Sequence, residues 1–96
     1  MLYIVNKNNL ALNDCVERAE AEDVILLIEA AVSASISTSS SAVLSVIEKG
    51  VSVYVLMPDL QVRGITPDMC DERIQSVDYD GFVELVAHNN PIRSCF

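Results

Sequence analysis

The stretch Val51-Ser52-Val53-Tyr54-Val55-Leu56-Met57-Pro58-Asp59 follows Gly50 and decides how the rest of the chain is read. It is apolar and rich in β-branched residues, and Pro58 has no N–H to give to a sheet ladder. A short apolar run without alternation predicts a strand covered on both faces, as in the middle of a parallel sheet. Asp59 stands just past its carboxyl end, the edge at which open α/β sheets collect ligands.

Upstream of this run, residues 42–49 have the spacing of a short helix that buries Val43, Val46 and Ile47. Lys49 suits the negative end of its dipole, and Gly50 suits a left-handed cap. Residues 33–41 are nearly all serine, with Ala34, Ile36 and Thr38 between them. That composition predicts a flexible loop or a frayed helix start, because Ser and Thr compete with helical hydrogen bonds. Residues 24–28 are five apolar residues in a row, a second strand that Glu29 ends. Residues 2–5 form a first strand, and Asn9 is placed to cap a helix over residues 10–19. On that helix Leu12, Cys15, Val16 and Ala19 fall on one apolar face.

Downstream, residues 59–63 predict a single turn closed by Gly64. Thr66-Pro67 reads as a cap followed by proline in the first helical position, opening a short turn through Asp71. Residues 74–77 make a modest strand. Asp78 then caps a last helix over residues 79–87, with Tyr79, Phe82, Val83 and Val86 as its expected buried stripe. Asn89-Asn90-Pro91 stops that helix, and residues 92–96 can form a final strand. Strands and helices alternate throughout, and no internal repeat is visible. The expected fold is α/β: a single three-layer domain over residues 1–96, with a mostly parallel sheet of about five strands flanked by helices.

Composition narrows the function. Fourteen acids against six Lys plus Arg give a net charge of −8, a surface that repels phosphate backbones and argues against direct nucleic-acid binding. No stretch reaches the roughly 18 apolar residues of a membrane helix. Met1-Leu2-Tyr3-Ile4-Val5 lacks the basic region of a signal peptide, so a cytoplasmic protein with no membrane contact is expected. Cys15, Cys70 and Cys95 are odd in number and lack metal-site spacing, which suits free thiols in a reducing compartment. The hydrophobic share is 51%, high for so small a domain and a reason to expect partner subunits.

Candidate chemistry is sparse. Glu29, Asp59 and Asp78 each follow a strand and could line a crevice at the carboxyl edge, or serve only as caps and solvated loop acids. Gly50, Gly64 and Gly81 are far apart, so there is no dinucleotide fingerprint and no phosphate loop, and no cofactor or metal is expected. A phospho-acceptor domain needs acids after the first strand, where Asn6-Lys7 stands. The serine run could hold an anion at a helix N-terminus, or be an ordinary loop. His88, the one histidine, sits at a helix end where a cation is mildly favoured and reads as structural or surface. Cys15 lies early in a helix, where the dipole can activate a thiol, yet on the apolar face, where cysteine is an inert small hydrophobe. Cys70 and Cys95 have no such setting and read as structural.

Four blocks follow one another along the chain: Met1-Leu2-Tyr3-Ile4-Val5-Asn6-Lys7, Asp23-Val24-Ile25-Leu26-Leu27-Ile28-Glu29, Val53-Tyr54-Val55-Leu56-Met57-Pro58-Asp59-Leu60 with Arg63-Gly64, and Val77-Asp78-Tyr79-Asp80-Gly81-Phe82-Val83-Glu84-Leu85. Together they resemble the TusB/DsrH family of sulfur-relay proteins. The resemblance implies a subunit of a heterohexamer, two copies each of three homologous chains, with TusC/DsrF-like and TusD/DsrE-like partners and a downstream sulfur-acceptor protein. Such complexes pass persulfide sulfur along cysteines, toward 2-thiolation of the tRNA wobble uridine in one branch and in sulfur oxidation in the other. The essential acceptor cysteine belongs to a sister subunit, and the TusB-type chain is a mainly structural, non-catalytic part of the sulfurtransferase complex. The DsrH-type chain carries one cysteine in its first helix. Cys15 falls at that position, which makes it the candidate persulfide carrier.

Two departures stand out. Glu29-Ala30-Ala31 and the serine run replace the family's acidic pair and glycine. The chain ends Ser94-Cys95-Phe96 in place of Trp-Leu, with Phe96 a candidate aromatic anchor for a neighbour. Three expectations follow: a structural relay subunit, a DsrH-type sulfur carrier using Cys15, and a free-standing homo-oligomer that binds a small ligand at Glu29, Asp59 and Asp78.

Overall fold

The computed structural model describes residues 1–36 and 41–95. Five strands, β1 (Leu2–Val5), β2 (Val24–Leu27), β3 (Ser52–Leu56), β4 (Gln75–Val77) and β5 (Ile92–Cys95), form one sheet in the order β4-β3-β2-β1-β5. The pairings between these five strands are all parallel. The helices are α1 (Leu10–Arg18), α2 (Ser41–Glu48), α3 (Met57–Val62) and α4 (Tyr79–His88), with 3₁₀ turns at Glu29–Ser35 and Pro67–Met69.

Chain direction and handedness set the layers. From β1 to β4 the strands march one way, so right-handed crossovers put α1, α2 and α3 on one face. The return from β4 past β1 to β5 puts α4 on the other. Alternation along each strand separates two cores. Tyr3, Val5, Ile25, Leu27, Val53 and Val55 pack with Leu12, Cys15, Val16, Val43, Val46 and Leu60. Leu2, Ile4, Val24 and Leu26 meet Phe82, Leu85 and Val86 of α4. The second core is thinner because a single helix covers it.

The run that includes Val51 does form an interior strand, but β2 takes the centre. All four residues of β2 are buried, whereas Ser52 is exposed and Tyr54 half-buried on β3. The strand also ends earlier than its apolar content suggests. Leu56 is its last residue, and Met57-Pro58-Asp59 opens α3. Proline is tolerated in a first helical turn, where its missing N–H costs nothing.

Three further expectations need correction. First, residues 33–35 belong to the 3₁₀ helix Glu29–Ser35, in which Ala31, Val32, Ala34 and Ser35 are buried. Ser35 tolerates this because its hydroxyl donates to the Val32 carbonyl (2.6 Å). The loop expected over residues 37–40, and the anchor expected at Phe96, lie outside the described residues. Second, Thr66 makes no side-chain cap to the turn Pro67–Met69. The Thr66 side chain is instead the main cause holding the Asp68 carboxyl below its ordinary range. Third, the buried stripe of α4 is Phe82, Leu85 and Val86, while Tyr79 and Val83 are 62% and 64% exposed. Residues 79/82/83/86 and 82/85/86/89 both have helical spacing, and the sheet beneath selects the second.

Local signals elsewhere act as expected. Gly50 turns the chain with φ +98°, and the Asp78 carboxylate accepts from the Gly81 N–H (2.9 Å). Lys49 lies at the end of α2, but its ammonium donates to the Val16 and Ala19 carbonyls (3.1 and 2.9 Å), closing α1 instead. Asp78→Ala therefore lowers the unfolding free energy by about 1 kcal/mol. At Gly81 a Cβ would meet Val77 Cβ at 2.9 Å. Gly81→Ala thus destabilises by about 1 kcal/mol, although helix propensity alone favours alanine. Denaturant melts of both variants check these two values.

Candidate functional site

The carboxyl edge of the sheet brings two of the three expected acids together. Glu29 follows β2 with φ +50°, and its backbone N–H donates to Asp59 Oδ2 at 2.6 Å. Asp59 in the first turn of α3 thus holds the sharp bend that starts the 3₁₀ helix Glu29–Ser35. Asp78 is given to the first turn of α4. What these two carboxylates demonstrably do is fix backbone, and Glu29 is exposed.

Asn6, one residue past β1, adds a feature that sequence reasoning missed. Its side-chain Oδ1 is buried without a hydrogen-bond partner among the described residues, while its backbone carbonyl accepts from Ala31 N–H (3.2 Å). An amide directly after a buried strand is the signal that could have drawn attention to it.

The sulfur atoms are more informative. Cys15 is 1% exposed, inside the face of α1 that packs on the sheet. Burial pushes its thiol well above the ordinary cysteine range, and the neighbouring Cys95 sulfur adds to the effect by charge and by hydrogen bonding. Arg18 and Arg93 oppose it more weakly. The helix dipole alone does not make this thiol a ready nucleophile, because the thiolate is the reactive form. Cys95 lies on the edge strand β5, paired in register with Val5 and half-buried against the same core. The juxtaposition of Cys15 and Cys95 could not be read from residues 80 positions apart without the β1–β5 pairing. Cys70 lies elsewhere, 3.3 Å from the buried Ser35 hydroxyl and paired antiparallel with Ile36.

His88 Nδ1 lies 2.9 Å from the Glu84 carbonyl on exposed α4. Among the described residues no three His, Cys, Asp or Glu side chains are grouped to hold a metal ion. No helix among them is long and apolar enough to cross a membrane.

These features define a small α/β domain with a parallel sheet, in which Cys15 and Cys95 pack on one core beside the point where the strand order reverses. The chain belongs to the DsrH-like family: the model described as "DsrH like protein" matches residues 6–92. Membership of that family suggests a role in sulfur relay. The fold is similar to that of the protein of unknown function MTH1491 from Methanobacterium thermoautotrophicum. That likeness has a TM-score of 0.79 at 14% identity and covers 97% of this chain and 96% of the other. It is also similar to protein Tm0979 from Thermotoga maritima, with a TM-score of 0.66 at 20% identity over 91% and 92% of the two chains. Identities this low speak to the fold alone. No curated protein matches the sequence.

Proposed function

We propose that this chain is a mainly structural subunit of a heterohexameric persulfide-relay complex that supplies sulfur for 2-thiolation of the tRNA wobble uridine. Its partners are homologous TusC/DsrF-like and TusD/DsrE-like chains, and a separate protein takes up the sulfur downstream. The observation that carries this reading is the DsrH-like match along residues 6–92. Two physical features support it. Large apolar side chains remain on the surface of the lone chain, Tyr79, Val83 and Val62 among them, as suits a domain that is covered by neighbours. The net charge of −8 suits a subunit that does not itself hold the tRNA.

The burial of Cys15 favours the structural role over that of an obligatory carrier, since an acceptor must meet its donor. Incubating the assembled complex with a labelled persulfide donor separates the two. After alkylation without reductant, the label is expected on a sister subunit. Stable label on Cys15 of this chain contradicts the structural reading and favours the DsrH-type carrier of sulfur oxidation.

A further inference from the structure

We propose that Cys95 and Cys15 form a thiol–disulfide exchange site that takes small disulfides, with Cys95 the entering sulfur and Cys15 the resolving one. The proposal does not depend on the relay reading. It rests first on the sheet: β5 is an outer strand whose one neighbour is β1, and Cys95 stands opposite Val5 there. Val5 faces the core that contains Cys15, and Cys95 packs against that core. The Cys95 sulfur is thus close enough to Cys15 to act on its thiol through space. Residues two apart on a strand share a face, so Arg93 flanks Cys95 on the same side, paired with Tyr3. Arg18 and Arg93 are both close enough to oppose, weakly, the upward push on the Cys15 thiol.

The two sulfurs are unequal. Cys15 is 1% exposed, so an incoming molecule reaches Cys95 first. The Cys95 thiolate attacks one sulfur of a small disulfide RSSR, the S–S bond breaks, and RS⁻ leaves. A mixed disulfide now stands on Cys95. The first RS⁻ takes the Cys15 proton, the Cys15 thiolate attacks the Cys95 sulfur, and the Cys15–Cys95 bond closes as the second RS⁻ leaves and picks up the proton that Cys95 gave to solvent. Two protein thiols are oxidised while one RSSR is reduced to two RSH. Excess small thiol drives the sequence backwards. Closure ties α1 to the outer strand β5.

The test uses the whole folded chain, oxidised glutathione and intact-mass spectrometry. The wild-type chain is expected to lose two hydrogens and keep no glutathione, and its digest without reduction to contain Cys15 joined to Cys95. Cys15→Ala is expected to keep one glutathione, on Cys95. Cys95→Ser is expected to gain neither a Cys15–Cys95 link nor an adduct at Cys15. A wild-type chain that keeps a glutathione on Cys95, forms its link through Cys70, or does not react overturns the proposal. If Cys15→Ala does not fold, the wild-type digest decides alone, by the presence or absence of the Cys15–Cys95 peptide.

Discussion

Replacing Leu27 by alanine is expected to lower the unfolding free energy by about 4 kcal/mol, a large part of the roughly 5–15 kcal/mol of a whole domain. Leu27 is fully buried on the central strand, between Val5 of β1 and Val55 of β3 in register. It faces the larger core, where α1, α2, α3 and the 3₁₀ helix after β2 all pack. So many fixed neighbours leave little room for collapse into the cavity, and the cost of such a change grows with the volume left empty. Leu26, adjacent and equally buried, provides the comparison. It faces the thinner core under α4, a helix with no fully buried residue of its own. That helix can settle toward the sheet, so Leu26→Ala is expected nearer about 3 kcal/mol. Urea melts with unchanged m-values measure both. Equal losses at the two positions would show that the cores are equally rigid.

The second large effect appears in alkali. Burial and the Cys95 sulfur hold the Cys15 thiol protonated in the folded chain, while the unfolded chain gives up that proton near pH 8.5–9. The folded pKa is raised above the unfolded one, so the stability this group confers is whole below about pH 8.5. It is lost as pH rises, with a slope approaching about 1.4 kcal/mol per pH unit. Tyr3 is raised too, by burial first and then by Asp23, but an unfolded tyrosine ionises only near pH 10. Melts between about pH 8.5 and 10 thus isolate the thiol. Cys15→Ala, although less stable at every pH, is expected to be flatter across that window. Parallel curves for the two chains would show that Cys15 is not held protonated.

Much of the fold was legible in the chain. Runs such as Val24-Ile25-Leu26-Leu27 carry no alternation, which only a strand covered on both faces can use, and the alternation of elements implies the parallel sheet. Boundaries were less legible where one residue serves two elements. Met57-Pro58 reads as a strand end by composition but starts α3, because a proline in the first turn and one that stops a ladder look alike. The face of α4 was ambiguous because two apolar stripes share Phe82 and Val86, and the position of the sheet, a tertiary fact, selects between them. Buried Ser35 escaped notice because a hydroxyl that bonds its own helix backbone can enter a core.

The candidate site was legible in parts. Glu29 and Asp59 were placed at the right edge, but their link runs through a backbone N–H that no spacing reveals. The helix that carries Cys15 and the apolar face on which it lies are both legible in the spacing of residues 10–19. Cys95 read as structural, since its partner sulfur becomes visible only when β5 is laid beside β1.

Native mass spectrometry decides whether this domain works as one subunit of a relay complex. The chain is expressed alone, then together with its TusC/DsrF-like and TusD/DsrE-like partners. A hexamer holding two copies of each chain is the predicted result. A chain that ignores both partners and remains a monomer or homo-oligomer contradicts it.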